Sequence, residues 1–271
     1  ESLDLRHNPL TRAPDITNMP ALSDLRLSST EITAVPDGIG THPNLREAHL
    51  DNNAITDLPE AFFELDIKLA RATKLSANPL SRAARERIKV YYTQHEANFG
   101  VLPDQADISR TRNLFPTLNI KEAADVFYRL PGTLADGTAQ LASWETEIGK
   151  MLSDLEAWSN RVPAQVMGAA DRATQRLNRR AFGEKVEQFW RNRHVSRSKP
   201  GSNGFIANLT FFGDLPALTA DFSHIVQLSL LGNKDLTSAE GFLRCFTGLK
   251  TLAMRDFTLG MAELGIKRGD V

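Results

Sequence analysis

The stretch "LREAHLDNNAITDLP", residues 45 to 59, sets apolar side chains at Leu45, Ala48, Leu50, Ile55 and Leu58, with Asn53 among them. Strand-like alternation covers Ala48 to Leu50 and stops, and a helical period does not fit the rest. The spacing makes sense only beside its other copies. Upstream, "LSDLRLSSTEITAVP" carries Leu22, Leu25, Leu27, Thr30, Ile32 and Val35-Pro36. Before that, "LDLRHNPLTRAP" carries Leu3, Leu5, Asn8 and Leu10; downstream, "ATKLSANPLS" carries Leu75, Asn78 and Leu80. Anchored on Leu5, Leu27, Leu50 and Leu75, the copies step by 22, 23 and 25 residues.

A period of roughly 20 to 29 residues with L-x-x-L-x-L-x-x-N-x-L is the leucine-rich-repeat signature. Each L-x-L pair reads as a short strand with leucines inward and x residues outward. Asn8, Asn53 and Asn78 stand where the chain turns out of the strand, and an amide there can satisfy backbone groups of its own and the neighbouring coil. Thr30 offers only a hydroxyl, so its turn is expected to be looser. No single copy covers its own leucines, and stacking neighbours does.

After Leu80 the pattern turns helical. Ser81 is a candidate N-cap for a helix with Ala84, Ile88, Tyr91 and Tyr92 on one face and Gly100 as its stop. Residues 101 to 118 read as a loop with one short helix. Asn119 and Glu122 form a capping-box pattern ahead of Ala123, Val126, Phe127 and Leu130, and Pro131-Gly132 ends that helix. Leu141, Trp144, Ile148, Met151, Leu155, Trp158 and Val162 then follow a heptad seam that Pro163 closes. A second long helix, from about Ala164 to His194, would face it with Val166, Ala170, Ala173 and Leu177, the seam slipping near Gly183 to Phe182, Val186, Phe189 and Trp190. Residues 133–162 carry net charge −3 and residues 164–199 net +6, which suits an antiparallel hairpin.

Residues 195–204 are a linker by composition. The leucine pattern returns at Ile225, Leu228, Leu230, Asn233 and Leu236, then at Leu249, Leu252, Met254 and Leu259, with Asp256-Phe257 in the turn. "NLTFFGDLPAL", residues 208–218, is a candidate degenerate first strand. The expected class is therefore α/β: a leucine-rich-repeat solenoid at 1–80, a capping helix and helical hairpin at 81–200, and an incomplete second array at 201–271.

Composition narrows the function. The 271 residues carry 32 basic and 33 acidic side chains, so no global charge favours nucleic acid. One cysteine excludes an intrachain disulfide. No apolar run is long enough to span a bilayer. The six histidines stand neither at i, i+4 spacing nor beside cysteines or carboxylates, so no metal or other cofactor is expected. The basic stretch "RNRHVSRSKPG", residues 191–201, reads as a solvated helix end. Cys245, in "LRCFTGL", has no base or acid beside it and reads as a buried small side chain rather than a nucleophile. Both chain ends lack a cap, which gives the expectation of a piece of a longer protein.

The outward strand positions are the candidate site. Asp4, Arg6, Arg26, Glu47, His49, Asp51 and Lys74 would form a mixed-charge face that binds another protein, with Asp4, Arg26, His49 and Lys74 in one column.

The stretches "LSANPLSRAARERIKVYYTQ" (75–94), "PTLNIKEAADVFYRLPGTL" (116–134), "GDLPALTADFSHIVQLSLLGN" (213–233) and "FTGLKTLAMRDFTLG" (246–260) carry a resemblance. They resemble large bacterial leucine-rich-repeat effectors and toxins of the novel E3 ubiquitin ligase (NEL) type, in the region upstream of the catalytic domain. "VFYRLPGTL" and "LPALTADFSH" are its more specific parts. The resemblance implies a secreted parent that acts in the host cytoplasm and transfers ubiquitin through a Cys-x-Asp motif in a separate helical domain. Cys245 is followed by Phe246 and Thr247, so the motif is absent here. The reading is a non-catalytic recognition and scaffold region that binds a host protein; the alternative is a general protein-binding module or spacer with no link to ubiquitin.

Overall fold

Each copy of the leucine motif contributes one very short strand. In the computed structural model, which describes residues 1–161, 169–197, 204–208, 214–231 and 239–255, these are β1 (Ser2–Asp4), β2 (Asp24–Arg26), β3 (Glu47–His49) and β4 (Thr73–Lys74). They lie parallel in the order β1-β2-β3-β4, with Leu3 opposite Leu25 and Leu25 opposite Ala48. Leu25, Leu27, Leu50, Ile55 and Leu75 are fully buried in one core with Phe62, Ile88 and Phe99. Burying each such side chain stabilises by about 1.5–3 kcal/mol, and neighbouring copies supply the cover.

The turns after the strands share one backbone device. His7, Ser29, Asn52 and Ala77 all have φ between 54° and 60°, each one residue before Asn8, Thr30, Asn53 or Asn78. Left-handed backbone costs a residue with a Cβ about 1–2 kcal/mol. Ala77 has no polar side chain to offset this. Ala77→Gly is therefore expected to raise stability by about 0.5–1 kcal/mol, read as a higher urea midpoint at unchanged slope. An unchanged or lower midpoint would show that the turn is not under this strain.

Asn53 ties two turns together. Its Nδ2 donates to Leu50 O at 3.0 Å and to Leu27 O at 2.7 Å on the neighbouring coil, and its Oδ1 accepts from Thr30 N at 2.8 Å. Thr30 is fully buried and its own hydroxyl donates to Leu27 O at 2.9 Å. The turn at Thr30 is thus not looser than the others, because the next coil's amide supplies what its side chain lacks.

Helices follow. α1 (Ile67–Ala72) leads into β4, and α2 (Arg82–His95) starts at Ser81, whose Oγ accepts from Ala84 N at 3.1 Å. α3 (Gln105–Leu114) and α4 (Ile120–Tyr128) come next, and both bonds of the Asn119–Glu122 capping box are present. α5 (Leu134–Asn160) is the longest element, and α6 (Ala169–Arg191) follows. The chain divides into two compact units, Glu1–Leu141 and Ala142–Val271.

In the second unit β5 (Gly204–Asn208), β6 (Gln227–Leu231) and β7 (Thr251–Arg255) form a parallel sheet, with α7 (Glu240–Leu243) before β7. Phe205, Leu228 and Leu252 share one register row. The first strand lies at 204–208, ahead of the stretch expected for it. Val162, Val166, Asn233, Leu236, Asp256, Phe257 and Leu259 lie outside the described residues.

The expected class, an α/β leucine-rich-repeat solenoid with a long antiparallel hairpin and a second array, is overturned. Among the described residues the fold is mostly helical, with seven α-helices and two small parallel sheets of four and three strands. An L-x-L pair extends only two or three residues of backbone before the turn, whereas residues 82–160 hold one long helix-forming segment after another. The hairpin seam also fails where it was expected to start. Leu177 is 65% exposed and Ala173 is exposed; the covered face of α6 runs through Arg179, Phe182, Val186 and Trp190. Arg179 has taken an apolar position: its guanidinium lies 4.6 Å from the Trp158 ring centroid, donates to Trp158 O at 2.9 Å and pairs with Asp214.

Candidate functional site

Parallel pairing sets the candidate face. The register places Asp4 opposite Arg26, Arg26 opposite His49, and His49 opposite Lys74. The residues on either side of Arg26, His49 and Lys74 (Leu25 and Leu27, Ala48 and Leu50, Thr73 and Leu75) are buried, so the column stands on a fixed platform.

Within the face, basic side chains contact acids two residues earlier in the chain. Arg6 grips Asp4 through Nη2 at 2.8 Å and Nε at 3.0 Å. Arg26 grips Asp24 through Nη2 at 2.8 Å and Nε at 3.1 Å. His49 Nε2 lies 2.5 Å from Glu47 Oε1. Such forks fix the guanidinium planes, though in water each pair adds little stability. The hydrogen bonds from Arg6 hold the Asp4 carboxyl down at about 2. Asp51 is tied sideways, its Oδ1 accepting from Ser28 Oγ at 2.9 Å on the neighbouring strand.

Lys74 breaks the pattern. Two residues before Lys74, where Arg26 has Asp24 and His49 has Glu47, stands Ala72 at the end of α1, and Lys74 is exposed with no ion-pair partner among the described residues. Arg6 and Arg26 are thus each paired with an acid on the face, and Lys74 at its β4 end is not.

No protein-family model, curated protein or solved structure matches this chain. The chemistry of its side chains is what separates the remaining candidates.

Cys245 is buried and its Sγ donates to Leu218 O at 2.9 Å; burial pushes its thiol above the ordinary range, opposite to what a nucleophile needs. The basic stretch after α6 is not simply solvated. Arg193 is largely buried, with its guanidinium 4.1 Å from the Trp190 ring centroid and 5.5 Å from that of Trp144, and it pairs with Glu147 at 3.1 Å. Trp190 Nε1 donates to the same Glu147 oxygen at 2.8 Å. Arg193 is thus part of the packing of the second unit and is not offered to phosphate. Among the described residues no group of three or more His, Cys, Asp or Glu could hold a metal ion, and no helix is long and apolar enough to cross a membrane.

Sequence reasoning missed one place entirely. A cavity of about 460 Å³ in the first unit is lined by Arg82, Arg85, Asp104, Asp107, Tyr128 and Thr138, among others. Its polar residues sit at unrelated sequence offsets, and only the folding of α2, α3, α4 and α5 brings them together.

Proposed function

We propose that this chain is a non-catalytic protein-recognition and scaffold region, and that its polar strand face binds an acidic surface on another protein. The observation that carries this reading is Lys74, an exposed cation with Ala72 in place of the acid that restrains its neighbours. The bidentate pairs on β1 and β2 lower the cost of ordering side chains on binding, because Arg6 and Arg26 are already fixed. Complementary charge at Lys74 then sets orientation and partner choice more than raw affinity.

The resemblance of residues 116–134 and 213–233 to NEL-type effectors supports a parent that is secreted by a bacterium and acts on a host protein in the host cytoplasm. In that setting the ubiquitin-transfer cysteine belongs to another domain, and Cys245, sealed against Leu218, takes no part.

The test is to give Lys74 the acid it lacks. Ala72→Glu places an acid two residues before Lys74, at the end of α1, and leaves Lys74 itself in place. A protein recovered from host-cell lysate by the wild-type chain is expected to bind Ala72→Glu and Lys74→Glu at least about tenfold more weakly, with the melting temperature unchanged. Equal binding by all three chains would refute the assignment of the face.

A further inference from the structure

The missed cavity in the first unit has a chemistry of its own. It opens among the starts of α2, α3 and α5 and the end of α4, and its volume of about 460 Å³ is that of a small-molecule site. Leu80, Pro103, Leu134 and Tyr128 give it apolar walls. Several of its polar groups are already committed. Tyr128 spends its hydroxyl on Val101 O at 3.0 Å, and Arg85 is held by Asp104 at 2.5 Å and by Leu102 O at 2.9 Å.

Asp107 and Arg82 are among the groups that retain capacity. Asp107 is only 8% exposed; its Oδ2 accepts from Thr138 Oγ1 at 3.0 Å, while Oδ1 has no hydrogen-bond partner among the described residues. Arg82 has a side chain 74% exposed, and its nearest acid, Glu86, lies 3.8 Å away, too far for a hydrogen bond. The cavity therefore presents a buried acid inside and a loosely held cation at its rim. Oδ1 keeps contact with solvent in the cavity, and a cationic donor there would gain a charge-assisted hydrogen bond in a largely covered place. An ammonium alone would also meet Arg82, so a second, negative end on the same ligand is required.

We propose that this cavity binds a small zwitterion, with its ammonium on Asp107 Oδ1, its carboxylate on Arg82 and its aliphatic stem against Tyr128 and Leu134. Burial pushes the Asp107 carboxyl above its ordinary range, with the Thr138 hydroxyl opposing, the Asp104 charge adding and Arg110 opposing. An ammonium at Oδ1 acts against the first of these.

The experiment titrates the full chain with glycine, γ-aminobutyrate and ε-aminocaproate, which differ in stem length, and with n-hexylamine and hexanoate, which each keep one charge. Binding is read by calorimetry and by amide chemical shifts of residues 80–138. At least one zwitterion is expected to bind with a dissociation constant of about 1 mM or tighter, and both single-charge compounds at least about tenfold more weakly. Arg82→Gln, at an exposed position, is expected to weaken the zwitterion about tenfold with the melting temperature unchanged, and Asp107→Asn to abolish binding. The proposal is overturned if no zwitterion binds at about 20 mM, if a single-charge compound binds equally well, or if Arg82→Gln binds like wild type.

Discussion

Asn53→Ala is expected to destabilise the first unit by about 3 kcal/mol, the larger of the two strongest effects foreseen here. The alanine takes one donor from Leu27 O and one from Leu50 O, and it strips Thr30 N of its acceptor. Thr30 Oγ1 can still donate to Leu27 O and Asn78 Nδ2 to Leu50 O, so both carbonyls keep one donor. Thr30 N, left unpaired, costs about 1–3 kcal/mol, the lost bonds to the two carbonyls add about 1 kcal/mol, and the cost falls on two coils at once. Asn8 offers the contrast. It is exposed and donates only to Leu5 O and Arg6 O on its own coil, so Asn8→Ala is expected to cost under about 1 kcal/mol. The readout is native-state hydrogen exchange at the amides of Leu27 and Leu50, which bond to His49 O and Lys74 O at 2.8 Å each. Their protection is expected to fall about a hundredfold in Asn53→Ala and less than about tenfold in Asn8→Ala. Equal losses in the two variants would mean that Asn53 does not bridge coils.

Lys89→Met is expected to cost about 2 kcal/mol at neutral pH and to remove a rise of stability on the alkaline side. Lys89 is 1% exposed, and its ammonium donates to Tyr128 O at 3.3 Å and to Leu130 O, carbonyls at the end of α4. Methionine fills the space and cannot donate. Burial pushes the Lys89 ammonium below its ordinary range, against the opposing charges of Glu86 and Asp136. The folded chain therefore gives up that proton before the unfolded chain does. Stability rises with pH between the lowered folded value and the ordinary lysine value, where the unfolded chain binds more protons. Tyrosines then reverse the trend. Burial, with the Asp125 bond adding, pushes Tyr92 up to about 12, and burial pushes Tyr128 up as well, so both keep their protons in the fold after the unfolded chain has lost them. Their contribution is full below about pH 10 and is lost above it. Urea midpoints at about pH 7 and about pH 9.5 are expected to rise in wild type and to stay level in Lys89→Met. A variant as stable as wild type at neutral pH would show that the two carbonyls do not depend on Lys89.

What the sequence made legible, and what it hid, follows from where buried polar residues sit. Leucine spacing located Leu25, Leu27, Leu50 and Leu75, which lie in one core, and Ser81 and Asn119 announced two helix starts through side-chain oxygens that do cap. α3 was hard to see because Asp107 and Thr111 occupy covered positions alongside Ile108 and Leu114, so no apolar stripe marks the helix. The start of the α6 face was misplaced for the same reason: Arg179 is buried and Leu177 is not. The fold class was misjudged because conspicuous leucines mark strands of only two or three residues, while helices claim more of the backbone. The face residues were legible, since alternation around a buried leucine fixes which side chains point outward. Their pairing was not, because it depends on which cation finds an acid two residues before it, and at Lys74 that position is Ala72 at the end of α1. The cavity around Asp107 was invisible, as four helices build it from residues as far apart as Arg82 and Thr138.

The recognition face is tested most directly by photo-cross-linking. A photoreactive amino acid at Ser76, exposed beside Lys74, is compared with the same residue at Val90, which is 57% exposed on α2. In host-cell lysate, Ser76 is expected to capture a discrete protein, Val90 is not, and adding Lys74→Glu is expected to reduce the captured band at least about tenfold. A band that forms equally from Val90, or one that persists with Lys74→Glu, would contradict a binding role for this face.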